Sequence, residues 1–136
     1  MKTLLLIISI LLCATLANSQ NYIGLSQSKI VKRYGQPDFK GNNYFVYFDQ
    51  DEGGTDTYFF DEKKICSSFV LTRPSNYLKV YQRMLHKDFS TAFENTYIYK
   101  SKKLNLKAEL TESANEFQVR IAYEDETTFT LVSNDN

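Results

Sequence analysis

LNLKAEL (104–110) and FQVRIAY (117–123) decide the fold. In the first, Leu104, Leu106, Ala108 and Leu110 alternate with Asn105, Lys107 and Glu109. In the second, Phe117, Val119, Ile121 and Tyr123 alternate with Gln118, Arg120 and Ala122. A period of two is the signature of a strand with one face in a core. A four-residue turn, Glu112-Ser113-Ala114-Asn115, pairs Leu110 with Phe117 and Leu106 with Ile121, so all the apolar positions share one face. The same register sets Lys107 opposite Arg120 on the outer face, a mildly unfavourable pair relieved by diagonal Glu109.

Upstream, NYFVYFD (43–49), TDTYFFD (55–61) and KICSSFVLTR (64–73) are rich in aromatic and β-branched residues and read as three more strands. Asp61-Glu62-Lys63-Lys64 is the polar loop of a hairpin. Pro74-Ser75 opens a helix with Ser75 or Asn76 as N-cap, and Tyr77, Val80, Tyr81, Met84, Leu85 and Phe89 recur at helical spacing to about residue 90. TYIYK (96–100) and TTFTLV (127–132) are further short strands.

GLSQSKIVKRYGQPD (24–38) specifies a two-turn helix with both ends marked. Ser26 is the N-cap, Leu25 and Ile30 form a hydrophobic staple, Gly35 supplies the left-handed residue after the last turn, and Pro37 stops the helix resuming. The element order predicts an α+β fold: mainly antiparallel sheet with two helices packed on one face, in the order α-βββ-α-ββ(ββ). The two halves look like αβββ units without a residue-level match, so an internal repeat stays open.

The set Gly24, Leu25, Ser26, Ile30, Tyr34, Gly35 and Pro37 resembles the opening helix of small secreted bacterial domains of the SmpA/BamE type, whose fold is similar to that of beta-lactamase-inhibitor proteins. The resemblance covers residues 24–38. It implies a helix docked on an antiparallel sheet and a non-catalytic, partner-binding role, and it carries over no functional residue. Family members named for barrel assembly are typically lipoproteins, and here this chain departs: bulky Leu12 precedes Cys13, where lipidation requires a small residue.

The N-terminus reads as a secretory signal. Met1-Lys2 precedes an apolar run from Leu4 to Leu16, and small Ala17 and Ser19 place a cut before Gln20. The run is too short for a retained membrane anchor, and nothing later is long and apolar enough to span a bilayer. Residues 20–136 then form one domain. Loss of Lys2 with the signal leaves 15 basic against 16 acidic residues, a balance that argues against nucleic acid as a partner. The expected partner is another envelope or secreted protein.

Chemistry is sparse. Cys66 is the only cysteine after Cys13, so the exported chain can form no internal disulfide. A nucleophile reading pairs Cys66 with His86, the sole histidine, but no residue is marked to orient that histidine; the reading adopted is a buried thiol and a solvated imidazole. One His and one Cys do not make a zinc site. A carboxylate enzyme leaves no local signature, and no cofactor motif is present. DQDEGGTD (49–56) offers two readings. As a calcium loop from Asp49 it places Asp51 third and Gly54 sixth, but Phe60 stands where the bidentate Glu belongs. As a hairpin turn it needs only Gly53-Gly54 for positive φ, with its acids in water. The turn is the reading adopted. Finally, YFVYF (44–48) is aromatic on both faces; if both helices lie on one side, Phe45 and Tyr47 are expected on the other, as part of a binding surface.

Overall fold

A computed structural model describes residues 22–100 and 105–124. Helix α1 (Gln27–Tyr34) leads into strands β1 (Phe39–Lys40), β2 (Tyr44–Phe48), β3 (Thr55–Phe60) and β4 (Cys66–Pro74). After a 3₁₀ turn at Ser75–Tyr77, helix α2 (Leu78–Asp88) leads into β5 (Ser90–Phe93), β6 (Thr96–Lys100), β7 (Asn105–Glu112) and β8 (Glu116–Tyr123). All eight strands form one antiparallel sheet in the order β1-β2-β3-β4-β8-β7-β6-β5. The fold is α+β, as the sequence pattern predicts. Each half is a helix followed by a four-stranded meander, and the halves join where β4 pairs with β8, from Ser68↔Ala122 to Pro74↔Glu116.

Both described helices lie on the same face. Phe45, Tyr58, Phe69, Ile121, Ala108 and Tyr97 are successive cross-strand neighbours along one row of the sheet. At one end of this face Tyr34 of α1 meets the rings of Tyr47 and Tyr58; at the other, Tyr81 and His86 of α2 meet Phe117 and Tyr97. The core between sheet and helices contains Ile30, Leu85, Leu106, Val119 and Ile121, all inaccessible to solvent. Burying a side chain of this size is worth about 1.5–3 kcal/mol each.

The ends of α1 fall where its sequence marks them, although Gly35 combines its positive φ with an extended ψ of −169° and is not left-handed helical. The Ser26 hydroxyl accepts from Lys29 N–H, Gly35 has φ 85°, and the Gly35 N–H donates to Val31 C=O. Helix α2 is capped differently, since neither Ser75 nor Asn76 makes a side-chain cap; the 3₁₀ turn supplies the entry instead. Tyr81, Met84, Leu85 and Phe89 are buried from its apolar stripe.

The β7–β8 hairpin keeps its predicted inner face but shifts by two residues. Leu110 pairs with Val119 and Leu106 with Tyr123, closed by a tight turn in which Ser113 N–H donates to Glu116 C=O. An even shift preserves which side chains face inward. It also replaces the unfavourable Lys107/Arg120 pairing with Glu109↔Arg120, and Lys107 Nζ lies 2.8 Å from Glu109 Oε1. Strands β1 and β5 escape the sequence pattern because one has two residues and the other four, all exposed. The expected signal segment, Cys13 and TTFTLV (127–132) lie outside the described residues. Among the described residues no helix is long and apolar enough to cross a membrane.

Candidate functional site

Period-two geometry assigns Phe45 and Tyr47 to the helix face, which corrects their expected exposure. Phe45 is 2% exposed and packs edge-on against Phe60 at 4.8 Å. Tyr47 packs against Tyr34 and Tyr58, and its hydroxyl donates to Gly35 C=O at the end of α1. Burial, then nearby Asp38, pushes the Tyr47 phenol above its ordinary pKa. The helix that covers these residues is the one whose capping the sequence marks most clearly. The aromatic side of β2 that the described helices leave open is therefore the opposite one, carrying Tyr44, Val46 and Phe48.

On that opposite face Phe39 and Phe48 are 55% and 59% exposed. The rings of Phe39, Tyr44 and Phe59 form a ladder across β1, β2 and β3, with successive centroids 6.0 Å apart. The ladder ends at a groove of about 280 Å³ over the centre of the sheet. The groove has Phe59 and Val70 as its apolar part, with Asn43 and the small pair Ser67 and Ser68 at one end. At the other end β7 and β8 contribute Glu109, Thr111, Gln118 and Arg120. Small side chains floor this end of the groove, Ser68 lying between Phe59 of β3 and Ala122 of β8.

A second constellation sits at the end of the sheet. Arg73 alternates in phase with Phe69 and Leu71, so its side chain enters the core face, where it is 1% exposed. Three carboxylates from DQDEGGTD meet it: Asp49 Oδ2 at 2.7 Å from Nη2, Glu52 Oε2 at 2.9 Å from Nε, and Asp56 Oδ1 at 2.8 Å from Nη2. Nη1 donates to the carbonyls of Thr55 and Thr72, and the Tyr81 hydroxyl of α2 donates to Glu52 Oε2 at 2.5 Å. Burial disfavours the guanidinium charge, but Asp56 and the groups around it outweigh that and hold it protonated. Asp56 Oδ1 is near enough to Nη2 for ion pairing but misaligned for a hydrogen bond. Its carboxyl is pushed upward by burial, against the pull of Arg73.

This constellation corrects the turn reading in one respect. The segment is a β2–β3 turn, with Gly53 at φ 76° and Gly54 at φ 96°, but Asp49, Glu52 and Asp56 are drawn out of solvent onto Arg73 and are only partly exposed. The Asp49 oxygens that a calcium loop would use accept from Asp51 N–H, Glu52 N–H and Arg73. The signal was available in sequence: an arginine in core phase near the end of one strand, and a loop with surplus acids two strands earlier.

Cys66 is fully buried. Its thiol donates to Ser68 C=O at 3.5 Å, and burial pushes its pKa up to about 12, which suppresses the thiolate. His86 is exposed on α2, where Nδ1 lies 3.2 Å from Thr91 Oγ1 and the ring meets Tyr97. The two residues belong to different halves and share no partner among these contacts. Comparison of the chain with protein-family models, with curated proteins and with solved structures finds no match.

Proposed function

We propose that the chain is an exported, non-catalytic binding module that holds an envelope or secreted component on the uncovered face of its sheet. One observation carries the reading. Both described helices lie on one face, and the other presents Phe39 and Phe48, each more than half exposed, with Phe39 opening an aromatic ladder that runs to a groove with polar walls. Isolated exposed apolar residues are ordinary; a continuous aromatic ladder leading into a hollow is the arrangement of recognition sites. Supporting it, among the described residues the Cys66 thiol is buried with its pKa pushed up, and the carboxylates that meet Arg73 are engaged in holding a loop.

Affinity capture from an envelope extract tests the reading, with the chain as bait beside Tyr44→Ser and Phe48→Ser variants. Phe93→Ser serves as control, because Phe93 is 75% exposed on edge strand β5, away from the groove. A component retained by the parent and the control, and lost from both open-face variants, is expected. A component retained equally by all four chains overturns the assignment of this face.

A further inference from the structure

We infer that the groove is a saccharide site, and that the aromatic ladder extends it for an oligosaccharide chain; the inference rests on the binding-module reading above. The groove lies over β3, β4, β8 and β7, all interior strands whose backbone groups are committed to the sheet ladder. An extended peptide recognised through its backbone would seek an edge strand instead. Recognition here falls to side chains. Those on the walls are amides and hydroxyls, Asn43, Ser67, Thr111 and Gln118, which between them both donate and accept.

Among the described residues the charged ones in the lining are Glu109 and Arg120, cross-strand partners of opposite sign, and Glu109 is also paired with Lys107 Nζ at 2.8 Å. The groove thus mixes charges of both signs instead of presenting a run of cations, a lining that suits a neutral ligand better than a polyanion. A neutral ligand whose hydroxyls donate and accept in turn, with C–H faces that pack on aromatic rings, is a sugar. Phe59 belongs to both features: it lines the groove and ends the ladder through Tyr44 to Phe39. A chain of linked sugar rings leaving the groove would follow that ladder, with its apolar faces on the rings and its hydroxyls in water.

Isothermal titration of the purified chain with maltohexaose, cellohexaose, chitohexaose and mannohexaose, beside a sulfated heparin hexasaccharide, tests this. At least one neutral oligosaccharide is expected to bind, with affinity rising from disaccharide to hexasaccharide as the ladder is engaged. Gln118→Ala and Phe59→Ala are expected to weaken that binding about tenfold or more, the loss of one good contact, while Phe93→Ala leaves it unchanged. Gln118 is exposed, so its variant reports on the groove without disturbing the core. Binding of the heparin fragment alone overturns the inference, as does neutral binding unaffected by Gln118→Ala. So does absence of all saccharide binding; if Tyr44→Ser and Phe48→Ser then still abolish capture of an envelope protein, only the saccharide assignment falls. Absence of both kinds of binding overturns the module reading as well.

Discussion

Arg73 shows how one side chain gives a polar loop its structure. Three carboxylates and two carbonyls surround a guanidinium with almost no solvent contact. Replacing a buried ion pair by apolar groups is often harmless, but removing one partner leaves the others unpaired. Arg73→Ala is therefore expected to cost about 3–5 kcal/mol in urea unfolding. Asp56 behaves oppositely. An acid with a raised native pKa holds more protons folded than unfolded, between the ordinary carboxylate pKa and its own value. Its stabilising contribution is present below that window and is lost as pH rises through it. Asp56→Asn cannot ionise, so unfolding measured from about pH 4 to about pH 7 should lose that decline. At neutral pH the variant should be at least as stable as the parent; a loss there as large as that of Arg73→Ala would show that Asp56 is needed as an anion. Arg73 was legible in its strand phase, but pairing it with the loop required knowing that β3 and β4 are neighbours.

Among the elements, those with strong local chemistry were legible and those defined by partners were not. Helix α1 forms where Ser26 and Gly35 place its ends, and β7 and β8 keep their inner faces. The register of that hairpin was missed because two candidate turns differ by an even number of residues, so hydrophobic pattern cannot separate them. The side of β2 that would stay open was missed for a related reason: aromatic residues occupy both faces, and only the position of α1 decides between them. Two glycines separate local from tertiary demands in the same way. Gly35 has φ 85° and ψ −169°, a conformation essentially confined to glycine, with open space around it, so Gly35→Ala meets only the backbone penalty, about 1–3 kcal/mol. At Gly54, φ is 96° and a Cβ would lie 2.1 Å from the Thr72 carbonyl oxygen. Gly54→Ala adds an overpacking cost of about 1–3 kcal/mol to the same strain. Thermal denaturation of the two variants should rank Gly54→Ala clearly lower, and equal effects would mean that the loop does not press on β4.

At the scale of the whole molecule, two helix-plus-meander halves share one sheet, and their seam is its centre. The possibility of a repeat, left open by sequence, is met in the order of elements; the side chains obscure it because one half is aromatic on its open face and the other polar. Among the described residues, two couplings between the halves stand out. The first is the β4–β8 ladder, and the second is the hydrogen bond from Tyr81 of α2 to Glu52 in the β2–β3 loop. Neither half can open without exposing the other's core, so unfolding should be a single cooperative transition. Cys66 provides a probe confined to the first half. Its backbone is bonded to Gly24 and Leu25, and its thiol is buried, so modification requires that region to open. Thiol modification at Cys66, located by peptide mass mapping across a urea series, should rise in step with the loss of far-ultraviolet circular dichroism, which reports on both halves. Modification at clearly lower urea than the loss of ellipticity would mean that the first half opens alone. Rapid modification without urea would be a stronger reversal, because it would return Cys66 to the surface and reopen its reading as a nucleophile.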